Sequence, residues 1–394
     1  MINPFKKKSD ILYTLKTFPF TIFFAISTSI SASLLVNNNS KQETIIPLLI
    51  LGLFFSFAIT IFFKDRNSKK HETTIQLILI AGLILLKIFI FKNEYIFSTI
   101  PGTTLYFHLL ILSFLSIFIA PAIKKTDKDN IFGKNINRQL SDISLGITIS
   151  AGIFAIIMGM IFLISYLFEI NLPQNIIIHL FYWCGFVIGT FIICHLSPKK
   201  TNYILKEKLK ESVQKTFTYI FLPGILIYTA ILYAYGLKIL ITGVWPQNQV
   251  ALLVLIISIL GIATYVENRN LDIKTKLNQF FEKYFFFLLT PNFILIILSL
   301  QIRISQYGLT VNRAYLVFFT IWAMALTIYF LVSKAKDLRI IAFSLAIILI
   351  LTGAGPLSVV NISKYFINKK IQTETNQEKI QDLKYYLETI QTNN

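Results

Sequence analysis

Acidic side chains are scarce in this sequence. Asp and Glu number 19 against 37 Lys and Arg in 394 residues, and all charged residues together make up 14%. A water-soluble chain needs about a quarter charged residues to clothe its surface. Water is therefore not the solvent around most of this one. Cysteine is nearly missing: Cys184 and Cys194 lie ten residues apart in one apolar stretch. That excludes a disulfide framework and a cysteine-based metal spacing. Glycine and proline are few, 16 and 11, while Asn, Lys and Ile are frequent, which is a skewed composition and not a special architecture. The chain also lacks a phosphate-cradling Gly-Lys-Ser/Thr loop, a paired His-and-Glu metal motif and a nucleophile elbow. No catalytic group, metal or cofactor is expected from it, and the reading leans away from an enzyme.

Hydrocarbon is abundant instead, at 55% hydrophobic residues. Apolar runs of about 20 residues recur along the chain, as in TFPFTIFFAISTSISASLLV at 17–36 and TIIPLLILGLFFSFAITIFF at 44–63. Each can cross a hydrocarbon layer of ~30 Å as a helix. In lipid a segment must satisfy its own backbone hydrogen bonds, so helices are forced. The expected fold is an all-α polytopic transmembrane bundle. Eleven spans are read, at 17–36, 44–63, 73–91, 103–122, 143–168, 176–195, 219–242, 249–267, 284–302, 313–332 and 338–360. No Asp or Glu falls in the middle third of any of them, which argues against proton-coupled transport.

The basic residues orient the bundle. Alternate connections hold Lys6, Lys7, Lys8 and Lys16, then Lys64, Arg66, Lys69 and Lys70, and so on to Lys334, Lys336 and Arg339, 26 in all. The intervening short loops hold four: Lys41, Lys92, Arg303 and Arg313. This alternation places the N-terminus in the cytoplasm and the C-terminal tail outside, in a bacterial cytoplasmic (inner) membrane. It also accounts for the net charge of +18 without nucleic acid, because the cations sit in short loops between spans. The basic start followed by an apolar run resembles a signal peptide. Its run has the length of a full crossing, so an uncleaved first span is expected.

The expected division is a four-span part at 1–122, a cytoplasmic linker at 123–142, a seven-span part at 143–360 and a polar, partly helical outer tail at 361–394. In the tail, Ile380, Leu383, Leu387 and Ile390 follow one another at spacings of three, four and three, an apolar stripe on a short helix. Two readings stand for it: a helix lying on the outer rim of the bundle, or one that docks a protein partner.

Three segments of the second half carry a resemblance. Tyr233, Leu237, Lys238, Thr242, Gly243, Trp245 and Pro246 form the first. Arg303, Ile304, Tyr307, Gly308, Thr310 and Arg313 form the second, and Gly355, Pro356 and Ser358 the third. Together they resemble a bacterial membrane-protein family described as domain of unknown function 4153. Three departures are visible. Asn312 stands where the family commonly has an acid, Tyr315 is displaced by one residue, and Leu357 replaces an aromatic. The resemblance implies a membrane bundle and is silent on activity.

Given the orientation, the unusual polar residues gather in the outer half. Lys238 lies about a turn inside the outer end of its span, as does Lys87, and His108 lies about two turns in. Arg303 and Arg313 flank a short outer loop with Tyr307 and Gly308, and Trp245 follows Lys238. A charge at mid-depth costs about 2.5–3.5 kcal/mol, whereas a lysine near an end snorkels at lower cost. Lys87 reads as a snorkelling lysine. The guanidinium pair reads either as an interfacial contact to lipid phosphates or as a pocket for a phosphate or carboxylate. The ligand-binding candidates are therefore Lys238, Arg303, Tyr307, Arg313, Trp245 and His108. Glu169 reads as an interfacial acid, and His179 and His195 as packed histidines. Gly146 and Ser150 read as a small-residue packing face, and Gly353-Ala-Gly-Pro as a kink. The expected role is non-enzymatic binding of an anionic lipid, glycan or phosphate headgroup, with membrane lipids as partners. A secondary transporter or flippase is the alternative, and an enzyme on a lipid-linked substrate with His108 as base is the third reading.

Overall fold

The computed structural model describes residues 8–36, 42–64, 69–91, 99–120, 123, 131–168, 175–197, 217–243, 250–269, 271, 274–333 and 336–391. Among these residues there is no strand, and the chain is an all-α membrane bundle. Nine helices among them are long and apolar enough to cross a membrane. Contacts divide the chain into two units. The first is Met1–Ser98, Tyr106–Thr126 and Arg138–Tyr203, and the second is Thr99–Leu105, Asp127–Asn137 and Ile204–Asn394.

The first unit starts with α1 (Lys8–Thr17) and α2 (Pro19–Val36), parted by the wholly buried Phe18. Pro19 suits a first helical position, since it lacks only an N–H that would have no partner there. Then come α3 (Gln42–Lys64), α4 (Lys69–Leu85) with a wider π-turn at Leu86–Ile90, and α5 (Ile100–Ile119), whose residues as far as Leu105 belong to the second unit. α6 (Ile131–Phe168) is 38 residues long. It takes residues 131–142, expected as linker, into one continuous helix. α7 (Asn175–Tyr182), the π-turns at Trp183–Gly189 and α8 (Thr190–Leu196) make one more apolar span.

Small residues set the helix spacing in this unit, because apolar side chains gain nothing by leaving lipid for one another. The ring of Phe24 in α2 presses onto Gly52 in α3, where a Cβ would stand 2.3 Å from it. Ile193 of α8 presses equally closely on Gly146 of α6, and Ser150 lies against Gly189, so the expected small-residue face is a packing face. Polar links complete the joints. Thr21 Oγ1 lies 3.0 Å from Ser56 Oγ, and Gln76 Nε2 donates to the Ser56 carbonyl at 3.0 Å. His195 Nδ1 lies 3.0 Å from Thr14 Oγ1, a packing role between α8 and α1.

The second unit holds α9 (Leu222–Thr242), α10 (Val250–Arg269), α11 (Lys276–Tyr307), α12 (Val311–Val332), α13 (Arg339–Gly353), α14 (Val359–Thr373) and α15 (Gln377–Gln391). An aromatic knot ties α10, α11 and α12. Phe286 stacks on Phe330 at 4.6 Å between centroids, and Tyr265 meets Phe286 edge-on at 4.8 Å. Phe285 fills the space that Gly261 leaves open. Pro291 interrupts the hydrogen-bond ladder of α11, and the Tyr233 hydroxyl donates to the nearby Leu288 carbonyl.

The expected eleventh span, 338–360, is not one kinked helix. α13 stops at Gly353 after 15 residues, and α14 begins afresh at Val359. Gly355 holds φ at +78°, which a right-handed helix cannot continue through, and Pro356 has no N–H to offer. The Ser358 hydroxyl then caps α14 by accepting from the Asn361 N–H at 3.2 Å. α14 and α15 fold back as a hairpin on the unit. Leu383 and Ile390 of the tail stripe are buried there with Ile367, Val359, Leu309 and Val311. The stripe faces the bundle.

Candidate functional site

The site begins at the turn between α11 and α12. Gly308 ends α11 with φ +73° and ψ 177°, a region that side chains other than glycine's hydrogen cannot enter without strain. Its N–H still reaches the Ile304 carbonyl at 2.9 Å. Arg313, in the first turn of α12, reaches back so that Nη1 donates to the Gly308 carbonyl at 2.8 Å. Its guanidinium carbon stands 5.4 Å from the centre of the Tyr307 ring. Arg303 is four residues before Tyr307 on the same face, close enough for its charge to act on Arg313. The turn thus gathers Arg303, Tyr307 and Arg313, and part of the Arg313 fork is spent closing the end of α11.

The C-terminal hairpin covers this turn. Ser363 Oγ donates to the Leu309 carbonyl at 2.7 Å, and the Val311 N–H donates to the Tyr386 hydroxyl at 3.0 Å. A Cβ on Gly308 would meet Leu383 at 3.4 Å and Ile367 at 3.6 Å.

Beside the turn lies a cleft of about 770 Å³. Thr104 at the start of α5, Gly353 at the end of α13, Ser358, Asn361 and Lys364 of α14, and Ile390 of α15 line it. Two positive elements border it: the Lys364 ammonium and the N-terminal end of α14, the positive end of its dipole. Asn361 Nδ2 donates to the Gly355 carbonyl at 2.8 Å, and Thr104 Oγ1 to the Pro101 carbonyl at 2.9 Å. These bonds hold the walls. The arrangement can take an anion, and the cleft has the volume of a small-molecule site.

The other sequence candidates fall elsewhere. Lys238 is exposed on α9 among Leu237, Leu240 and Ile241, themselves 60–85% exposed, so it belongs to a flank and not to the turn. His108 is buried in α5, in the first unit. Trp245 and Glu169 lie outside the described residues. Lys87 sits on the π-turns after α4, with Nζ 3.5 Å from the Phe91 carbonyl. Among the described residues there is no group of three or more His, Cys, Asp or Glu able to hold a metal ion.

Sequence reasoning missed Lys364 and Asn361, which read as parts of a polar tail, and placed Ser358 inside the last span. The signal that could have found them was the Gly355-Pro356 stop, since a chain that must turn there brings the next helix back over the bundle. It also missed a buried polar group at the other end of α11, where Thr264, Glu267, Asn268 and Asn278 are each at most 2% exposed.

Long apolar helices joined through small residues and internal polar links define a multi-pass integral membrane protein. Within that class the chain belongs to the family described as domain of unknown function (DUF4153), which matches residues 24–393. It is 26% identical over 308 residues to an uncharacterized protein of Pasteurella multocida (strain Pm70), covering 77% of this chain and 49% of that relative. The chain thus spans about half the length of the curated relative it matches. No solved structure matches it.

Proposed function

We propose that this protein sits in a bacterial cytoplasmic membrane with its N-terminus inside, and binds an anionic headgroup in the cleft between α13 and α14 on the non-cytoplasmic side. The observation that carries the reading is the cleft itself. It is about 770 Å³ and bordered by Lys364 and the start of α14, next to the turn that holds Arg303 and Arg313. Phosphate and carboxylate share the chemistry such a site recognises. The basic connections support the orientation, since cationic loops stay on the cytoplasmic side. The role is one of binding, with no reaction assigned.

The test is thermal unfolding of the full chain in nanodiscs. Phosphatidylglycerol discs should raise Tm over phosphatidylcholine discs, and Lys364→Gln should remove most of that rise. Soluble glycerol phosphate added to phosphatidylcholine discs separates the sources. A rise there points to a free anion, and a rise only with anionic lipid points to the lipid headgroup. Equal Tm under all three conditions, or an undiminished rise in the Lys364→Gln protein, overturns the reading. A reporter active only in the cytoplasm, fused after α15, should stay silent.

A further inference from the structure

The turn between α11 and α12 holds positive charge that the headgroup cleft does not use. Among the described residues, the acceptor of the Arg313 fork is the Gly308 carbonyl, 2.8 Å from Nη1. The Tyr307 ring lies 5.4 Å from the guanidinium carbon and steadies the plane of the fork. The rest of its N–H edge keeps the capacity to donate.

The groups that act on Arg313 through their charge are Arg303, Tyr307 and Tyr386, and among the described residues no carboxylate joins them. Glu374 of the hairpin is held instead by Lys370 at 3.0 Å. Arg303 and Arg313 are both half-buried. Like charges drawn together repel more strongly as water is removed. An anion beside them relieves that repulsion and takes hydrogen bonds from the fork. Tyr386 adds a donor: its hydroxyl oxygen accepts from the Val311 N–H at 3.0 Å, which leaves its own O–H to give. Tyr307 is 54% exposed, so the group is reachable from outside the bundle.

We propose that Arg313 and Tyr386, with the charge of Arg303 beside them, form a second binding site, for an oxyanion of the phosphate class. The fork offers paired N–H groups to two phosphate oxygens, and the Tyr386 O–H serves another. Inorganic phosphate and the phosphodiester of a lipid headgroup share this chemistry. The site is separate from the cleft. The hydroxyls of Tyr315 and Thr104 are hydrogen-bonded, and Thr104 lines the cleft. Arg313 lies two residues before Tyr315, about 200° around α12, so it faces away from that wall.

The experiment uses the full chain carrying Lys364→Gln in nanodiscs, which silences the cation of the cleft. Inorganic phosphate, at ionic strength matched with chloride, should raise Tm saturably in phosphatidylcholine discs, because a ligand held only by the folded state stabilises it. Phosphatidylglycerol discs without phosphate test the lipid source. A rise with phosphate assigns the site to a free anion, and a rise with phosphatidylglycerol alone assigns it to a headgroup. Adding Arg313→Lys keeps the charge and removes the fork, and should weaken the apparent affinity by about tenfold or more. No rise under either condition overturns the proposal. If the native protein does respond, the anion then sits in the cleft and the headgroup reading alone stands. A rise that Arg313→Lys leaves unchanged also overturns it. Should the Arg313→Lys protein fail to fold, Tyr386→Phe takes its place, and a rise undiminished in that variant overturns the proposal.

Discussion

At the start of α11 the polar groups are sealed from water, whereas at its end, about 48 Å along the helix, a basic turn lies beside an open cleft. At the sealed end the two asparagines satisfy each other. Asn278 caps its own helix by accepting from the Thr275 N–H at 3.1 Å, and it also ties Asn268 down. The open end is basic, with Arg303, Arg313 and Lys364, and its closure is left to the apolar side chains of a hairpin from the end of the chain. A buried polar group stabilises a membrane helix only when its partners are fixed beforehand. A polar group at a cleft keeps its capacity for a ligand. The first end is built for order and the second for exchange.

Removing the hairpin's apolar anchor should separate the two ends most sharply. Ile367 is 0% exposed under Gly308, and Ile367→Ala should cost about 2–5 kcal/mol. The loss should appear as early proteolysis between α13 and α15, while cleavage near residues 268–278 stays slow. If both ends open together, the comparison fails and the unit melts as one block. Asn278→Ala should come next. It deletes the Asn278 half of the capping box that Thr275 begins and strands Asn268, at about 1–3 kcal/mol, and should leave the hairpin's protease resistance intact. Gly308→Ala should follow at about 1–3 kcal/mol, the strain of a Cβ at that backbone geometry. Its signature is a loosened hairpin with α10 and α11 still protected from hydrogen exchange.

The spans were legible because lipid imposes one rule on length and one on backbone bonding, and runs such as 44–63 obey both. The turn at Arg303, Tyr307 and Arg313 was legible too, since four residues along a helix share a face and Gly308 marks the reversal. Lys238 shows where that reading ends. Its depth in α9 follows from the sequence, but its face depends on which neighbours α9 packs against, and those are set by tertiary contact. Gly353-Ala-Gly-Pro announced a break. Whether the helix bends or stops there turns on the φ of Gly355, which composition does not encode. Lys364 was hidden for the same reason, because only the fold-back of α14 carries a tail lysine to the cleft. Glu267 was passed over because it sits at the edge of an apolar run, where an acid reads as loop. It faces a space that Thr218, Leu222 and Asn278, ten or more residues away in sequence, also line.

The smallest expected effect lies at Asp337, between α12 and α13. Its two carboxylate oxygens accept from Arg339 Nε at 3.1 and 2.9 Å, and Arg339 Nη2 adds a bond at 2.6 Å. Burial pushes this carboxyl up, but the Arg339 hydrogen bonds outweigh it and hold it below its ordinary value of 3.8. The ionised form is therefore favoured by folding. Its contribution is fully present above the ordinary value and is lost as pH falls through the lower folded value. The pair is about a third exposed at each partner, so the contribution is at most about 1 kcal/mol. Asp337→Asn should lower Tm slightly at pH 7 and flatten the part of the acid-side decline that begins near pH 4. If the decline in the variant matches that of the native protein, the acid sensitivity belongs to another carboxyl.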